Sequence, residues 1–343
     1  MPGYIDTFLK EINHPLPRKE QHAPHPYIPV QYGVTTQYAE GPDNSEPLPK
    51  SDAIQPAKII GKLLYYARAV DSTLNVALSA LAAEQNKPTM RTKKKLLQLL
   101  DYCATHPNAK LPFHASDMIL YVHSDAGYNN EPGARSRAGG HFYLGNHTTR
   151  PPLHNGAILN PTHIIKHVAT SAADAEIGAA FINCKEAIPI RITLTEMGYP
   201  QPATKVTLDN TTAVNFISKA IKQRRTKTID MRYYWLQDQA DLKQFVFVWE
   251  KGDNNKADYF TKHHPPGHHQ TVRSMYVHHT THSPLPKTVT RPLRGCADPS
   301  SIQRPYDGQT RAVGEPDRMP RPAAPSLPHC RTQITDSHKL IYQ

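Results

Sequence analysis

The sequence predicts an α/β fold of the α+β type: a mixed five-stranded sheet flanked by helices, preceded by a helical segment and followed by a disordered tail. Three observations predict it. Apolar runs of strand length stand at 118–127, 139–144, 163–168, 206–209 and 245–249. The first three follow one another through loops, and the last two are set between stretches of helical period, so an antiparallel meander shares a sheet with helix-linked strands. Beyond residue 265 the chain turns to Pro, Arg, His, Ser and Thr without a period, too little apolar surface to offset the entropy of ordering it.

The elements follow in order. Residues 1–53 hold one short helix, at 5–12, before Pro15, Pro17, Pro24 and Pro26 cut regular structure and leave an extended linker. Residues 54–110 are helical. Ile59, Leu63, Leu64 and Ala67 form one stripe, Leu74, Ala77, Leu78 and Leu81 a second, and Leu96, Leu97, Leu99, Leu100 and Tyr102 a third. Asp71 and Ser72 read as an N-cap pair for the second helix. Arg91, Lys93, Lys94 and Lys95 crowd the start of the third, either as a solvated face or as phosphate contacts.

Residues 111–265 carry the sheet. After its opening strand come a glycine-bearing turn at 129–133 and two more strands, and then Ser171, three residues before Asp174, opens a small-residue helix at 172–187. The strand at 206–209 leads into an Asn-started helix, an aromatic-rich helix follows at 229–242, and a closing helix starts at Lys256 after the strand at 245–249. Residues 266–343 are the tail.

Four acids stand at the edges of these elements: Asp125 and Asp209 at strand ends, Glu176 and Asp258 in the first turns of helices. Each alone is a turn former or a helix N-terminal residue. Brought together without a cation they would repel one another strongly, so their convergence would require metal. Hard oxygen ligands select Mg2+, with Mn2+ as the alternative, and a pair of such ions suits phosphodiester hydrolysis. The balance of 40 Lys+Arg against 29 Asp+Glu, a net charge of +11, favours a polyanionic partner such as nucleic acid.

These acids sit in longer motifs. Val122-His123-Ser124-Asp125-Ala126-Gly127-Tyr128, Ser136-Arg137-Ala138-Gly139-Gly140-His141-Phe142, Ala173-Asp174-Ala175-Glu176-Ile177-Gly178-Ala179, Leu208-Asp209-Asn210, Arg225-Thr226-Lys227-Thr228-Ile229-Asp230-Met231-Arg232-Tyr233 and Lys256-Ala257-Asp258-Tyr259-Phe260-Thr261-Lys262 follow in that order. Together they resemble the ribonuclease H domain of Ty1/copia-type retrotransposon polyproteins, over residues 3–280. Upstream, Ile60-Gly61-Lys62-Leu63-Leu64-Tyr65-Tyr66-Ala67-Arg68 resembles the segment joining that family's reverse transcriptase to its ribonuclease H, and residues 1–53 resemble the end of the reverse transcriptase.

The resemblance implies a ribonuclease H-like fold, an endoribonuclease hydrolysing the RNA strand of RNA/DNA hybrids, and two Mg2+ ions. Asp125 would bridge both ions, Glu176 and Asp209 would complete one site and Asp258 the other, with Asp174 as the fallback for Glu176. Arg137, Asn210 and Thr211 would contact the hybrid, through shape, phosphates and 2′-hydroxyls. Thr211 stands where relatives often carry Gln, and the segment 249–254 lacks the mobile His that cellular relatives place before the last acid. The remainder of a reverse transcriptase is the expected protein partner, and Met1 is read as an internal Met of a longer element.

Other classes are excluded or rivalled. No Asp-Asp dipeptide occurs, so a polymerase palm and DNA synthesis are not expected, and no Gly-x4-Gly-Lys-Ser/Thr motif supports ATP use. Cys103, Cys184, Cys296 and Cys330 are widely spaced, which with the lack of a signal peptide or an apolar span implies a soluble protein in the cytoplasm or nucleus, off the membrane. Zinc at His263, His264, His268 and His269 is disfavoured by the two prolines between them. The rival reading is a catalytically inactive, basic nucleic-acid-binding remnant of such a polyprotein.

Overall fold

The computed structural model describes residues 1–29, 41, 43–147, 155–218 and 231–279. The expected contribution of 225–230, most of the tail at 280–343 and part of the linker at 30–40 lie outside the described residues.

Four helices precede the sheet: α1 (Tyr4–Glu11), α2 (Lys50–Ala69), α3 (Asn75–Glu84) and α4 (Met90–Thr105). The apolar stripes of the sequence meet in one core, with Phe8, Leu63, Tyr66, Leu78, Leu81, Leu99 and Tyr102 buried together. Thr89 caps α4 in a reciprocal capping box with Thr92. The basic run at the start of α4 is largely spent inside the protein. Arg91 pairs with Asp43, Lys93 with Asp52, and the buried Lys95 with Glu84 at 2.7 Å, so phosphate contact by these three is not supported.

The sheet then builds from β2 (Ile119–Glu131), β3 (Arg135–Gly145), β4 (Ala157–Leu159), β5 (Thr162–Ile164), β6 (Thr204–Leu208) and β7 (Phe245–Trp249), after the two-residue β1 (Ala109–Lys110). Its order is β4-β3-β2-β6-β7 with β5 also on β3; β2, β3, β4 and β5 pair antiparallel, while β6 and β7 run parallel to β2. This is the expected mixed sheet flanked by helices, with two differences: the third strand, expected at 163–168, is β5 and stops at Ile164, and β4, on the other side of Asn160-Pro161, is a further short strand that the apolar runs did not mark. Leu120, Val122, Phe142, Val206, Leu208, Phe245 and Phe247 form one apolar face, covered by α5 (Ala172–Glu196), α6 (Thr211–Ile217) and α7 (Met231–Asp241).

Helix α5 runs past its expected end at 187, through Pro189. An interior proline costs a helix about 3 kcal/mol, but the turns beyond it hold Leu194 in the core and place Arg191 where Nη1 donates to Pro202 O at 2.6 Å and its guanidinium stacks on Phe245. Tertiary contact outweighs local preference.

Two further expectations are corrected. The closing helix from Lys256 is instead a pair of single 3-10 turns, at Gly252–Asn254 and Asp258–Phe260. Between them Asn255 accepts from Ala257 N and donates to Ser124 O, tying the backbone to the middle of β2 instead of letting it coil. The tail begins later than residue 266. Residues Pro266–Val272 form α8, a 3-10 turn follows, and β8 (His278–His279) pairs antiparallel with β1.

The interaction that recruits this last stretch is buried. Arg273 Nη2 meets Asp71 Oδ2 at 2.6 Å, 202 residues away in sequence, and its Nη1 donates to Tyr102 Oη at 2.5 Å and to Thr73 Oγ1. Asp71, read as a helix cap, does cap the 3-10 turn at Ser72–Leu74, and its carboxyl is held below the usual range by the Arg273 charge against a large cost of burial. Breaking a buried pair from one side leaves the other charge uncompensated. Arg273→Met is therefore expected to lower the unfolding free energy by about 3–5 kcal/mol, and Asp71→Ala/Arg273→Met to recover part of that loss, as read by urea denaturation of the four proteins of the cycle.

Candidate metal centre

Asp125 and Asp209 are neighbours by register. In the parallel pair β2·β6 the last matched residues are His123 and Thr207, and each acid lies two residues further on, where β6 has ended and β2 continues only in its hairpin with β3. Side chains two apart share a face, so the two carboxylates emerge side by side where open α/β sheets hold their ligands.

Glu176 arrives from α5. Positions 176, 180, 183 and 187 share the helix face turned to the sheet, and all four are buried. Alanines along that face permit close approach, and Asn183 fixes it, its Nδ2 donating to Ser124 Oγ at 2.8 Å and to Gly139 O at 2.9 Å. Ser171 caps the start of α5 through Asp174 N. Asp174 itself is occupied as a local brace, its Oδ2 accepting from Thr170 N at 2.9 Å. That leaves Glu176 as the acid that reaches the centre, where Oε1 accepts from Ala126 N at 3.2 Å.

The segment 255–262 closes the pocket against β2 and β3. A Cβ at Gly139, which lies opposite Asp125 in the hairpin, would stand 2.7 Å from Ala257 O, and one at Gly127 would stand 2.5 Å from Thr261 O. Only glycine admits the segment this closely. The approach delivers Thr261, whose Oγ1 donates to Asp125 Oδ2 at 2.9 Å. On the far side Trp249 Nε1 donates to Asp209 O at 2.9 Å, fixing the backbone that carries the carboxylate.

Three of the four expected acids thus converge: ligand oxygens of Asp125, Glu176 and Asp209 all lie within 4.8 Å of one another, and among the described residues this is the one group of its kind. Asp258 stands beside it, not in it. Its Oδ1 is held by Lys262 Nζ at 2.6 Å, yet it is near enough for its charge to raise both Asp125 and Asp209. Asn210 caps α6 through Ala213 N, and Thr211 is exposed on its first turn, both at the rim beside Asp209.

Arg137 is a correction. It is fully buried inside the hairpin, with Nε donating to Glu131 Oε1 at 2.6 Å and Nη1 to Thr162 Oγ1 at 3.1 Å. A guanidinium placed so braces the hairpin and has no surface to offer a nucleic acid. Thr261 and Lys262, inside the last motif, and Asn183, inside the expected helix at 172–187, are residues that the sequence did not single out. Their signal is only spatial, since each acts on a partner more than fifty residues away or one helical turn off. His263, His264, His268 and His269 form no metal-ligand group among the described residues; His264 and His268 stack on each other instead, ring centroids 4.3 Å apart.

The electrostatics of the centre are those of crowded anions. Burial, then the charges of Asp258 and Asp209, push the Asp125 carboxyl up to about 7, against the Thr261 hydroxyl and the Lys262 ammonium. Burial and the neighbouring Asp125 and Asp209 raise Glu176 well above the usual range, and burial and Asp258 raise Asp209. Glu176 Oε2 is buried with no hydrogen-bond donor. Three converging hard carboxylate oxygens, one an orphaned acceptor, fit a small divalent cation.

No family model matches the chain. A retrovirus-related Pol polyprotein from transposon TNT 1-94 of Nicotiana tabacum is 24% identical over 279 residues, 81% of this chain and 20% of the polyprotein. The chain thus spans about a fifth of the length of that relative. Among solved structures, a ribonuclease H1 isolated from compost by a metagenomic approach is 17% identical over 42% of this chain and 93% of its own, with a TM-score of 0.30. The N-terminal ribonuclease H domain of a Mycobacterium tuberculosis protein is 14% identical over 46% and 96%, with a TM-score of 0.31.

The raised carboxyls have a direct consequence for stability. A group whose carboxyl is raised on folding binds more protons folded than unfolded, so stability falls as pH rises from the unfolded value towards the folded one. In EDTA the protein is expected to lose stability between about pH 4 and 7, the ordinary aspartate value and the raised value of Asp125. Asp125→Asn should flatten that slope and raise the melting temperature at pH 8 by roughly 2–4 °C per kcal/mol of repulsion relieved, whereas a lower melting temperature would contradict the crowding.

Proposed function

For a chain related to a retrotransposon Pol polyprotein and built on a ribonuclease H-like fold, we propose a metal-dependent endoribonuclease that hydrolyses the RNA strand of RNA/DNA hybrids. The observation that carries this reading is the convergence of Asp125, Glu176 and Asp209 just past the parallel pairing of β2 with β6, with Glu176 Oε2 buried and undonated. Isolated acids gain nothing by such crowding; a cation-binding centre requires it.

Asp125, Glu176 and Asp209 would hold one divalent cation, Mg2+ or Mn2+, and Asp258 with Asp125 a second. When bound there, such a pair supplies activation of a water and neutralisation of the charge that develops on the phosphodiester. The chain's own residues provide the geometry. Thr261 orients Asp125, Ala126 N orients Glu176, and Trp249 and the strand end fix Asp209, so no side chain has to reorganise when charge develops. Asn210 and Thr211, beside Asp209 at the start of α6, would contact the hybrid, by backbone and 2′-hydroxyl recognition, and the surplus of positive charge would attract the phosphates.

The remainder of a reverse transcriptase is the protein partner this reading suggests, and an intracellular compartment its setting. The two cysteines among the described residues, Cys103 and Cys184, are buried thiols.

The test is a labelled RNA/DNA hybrid with Mg2+. Cleavage confined to the RNA strand is expected. Asp125→Asn, Glu176→Gln and Asp209→Asn should each reduce it by more than the roughly 10–100-fold that goes with loss of an outer-shell partner of a metal site. Salt-sensitive binding of the hybrid without cleavage at any Mg2+ or Mn2+ concentration would establish the inactive remnant in its place.

A further inference from the structure

A cleft of about 400 Å3, sharing no residue with the metal centre, runs between α2, the start of α3, β4 and β5. Its size is that of a small-molecule site. Ile60, Ala67, Leu78 and Pro161 are buried in its walls, while Arg68 from the last turn of α2, His163 of β5 and Glu186 of α5 stand exposed at its mouth. The cleft is apolar within and charged at the lip.

Two polar side chains interrupt the apolar lining. Ser72 opens the 3-10 turn after α2 and Asn75 follows that turn, so the two are three residues apart, the spacing at which side chains of such a turn stand one above the other. Both are more than nine-tenths buried, and neither Ser72 Oγ nor Asn75 Oδ1 has a hydrogen-bond partner among the described residues. Reversing the Asn75 amide would not help, because its Nδ2 donates to Asn160 O at 2.9 Å and a flipped oxygen would oppose that carbonyl. Two neighbouring buried acceptors cost stability until a ligand donates to them.

The group that meets them must offer two adjacent donors and carry no charge there, since Ser72 and Asn75 are neutral and a buried charge without a counter-charge is costly. The edge of a guanine base does so, with its ring N1–H beside the exocyclic amine. The mouth supplies the rest. Arg68 and Glu186 make no side-chain hydrogen bond or ion pair among the described residues; a guanidinium takes a phosphate, and a carboxylate accepts from the hydroxyls of a ribose.

We infer that this cleft is a ribonucleotide site. It takes guanosine monophosphate with the base on Ser72 and Asn75, the ribose hydroxyls on Glu186 and the phosphate on Arg68. The site is separate from the acidic centre and does not rest on the nuclease reading.

Calorimetric titration of the full chain in EDTA, which keeps divalent ions from bridging a phosphate to the acidic centre, tests it. One guanosine monophosphate per chain is expected. Inosine monophosphate, which lacks the exocyclic amine, should bind roughly 2–10-fold more weakly, the worth of one neutral hydrogen bond. Ser72→Ala should weaken guanosine monophosphate by a similar factor without lowering the melting temperature, because the hydroxyl it deletes has no partner in the free protein. Arg68→Met should cost about 10–100-fold for the monophosphate, the worth of a charged hydrogen bond, and leave guanosine unaffected. Glu186→Gln should weaken guanosine monophosphate more than its 2′-deoxy form. Absence of binding by any of these nucleotides, or binding that Ser72→Ala and Arg68→Met both leave unchanged, would overturn the inference, as would adenosine monophosphate binding as tightly as guanosine monophosphate. None of these outcomes bears on hybrid cleavage, so the two readings fail separately.

Discussion

Mutual repulsion among Asp125, Glu176 and Asp209 is the constraint around which the rest of this structure is arranged. Carboxylates in a poorly solvated pocket shift towards their neutral forms unless something neutralises them, and all three are raised here. Holding them together regardless demands rigid delivery from three separate elements. The buried middle of β2, a small-residue helix clamped by Asn183 and a second, parallel strand supply it. The destabilised pocket is a local deficit that the surrounding core sustains, the arrangement expected where structure is shaped for binding and not for its own stability.

What sustains it is partly remote. The sheet buries one face under α5, α6 and α7, and the other receives the chain that follows β7, where Phe260 and Tyr276 pack beside His141. That chain is in turn secured by Arg273 on the helical segment. The helices before the sheet and the segment after it therefore form one support for the loop that carries Thr261 and Asp258. A reading confined to residues 111–265 would miss that the position of Thr261 depends on both.

How much of this was legible depended on how local each cause was. The apolar run that opens β2 announced Asp125, although the strand does not stop at Ser-Asp-Ala-Gly as expected but goes on to Glu131 in its hairpin with β3. Asn210 announced the start of α6. The sheet and its mixed direction were readable from the apolar runs, and the similarity to a retrotransposon polyprotein from the order of short motifs. What failed was non-local. Arg137 was expected at the hybrid only through the resemblance; its actual partner, Glu131, is set by a hairpin register with an irregularity between Gly127 and Glu131 that no periodicity reports. Residues 266–279 looked unfoldable because their composition is poor in apolar groups, yet a single charge, Arg273, finds its complement two hundred residues upstream. The continuation of α5 through Pro189 failed for the same reason, since local propensity was outweighed by Arg191 and Leu194 in the core.

The span of the Asp71–Arg273 pair bears on how the molecule is made. Translation delivers Asp71 long before its guanidinium partner exists, so the growing polypeptide must carry that carboxylate in contact with water. The helical segment cannot reach its final burial until nearly everything described here has left the ribosome. The converging carboxylates are therefore all synthesised before the support beneath them is locked, and a chain halted short of residue 273 would display them on a scaffold still waiting for its last brace.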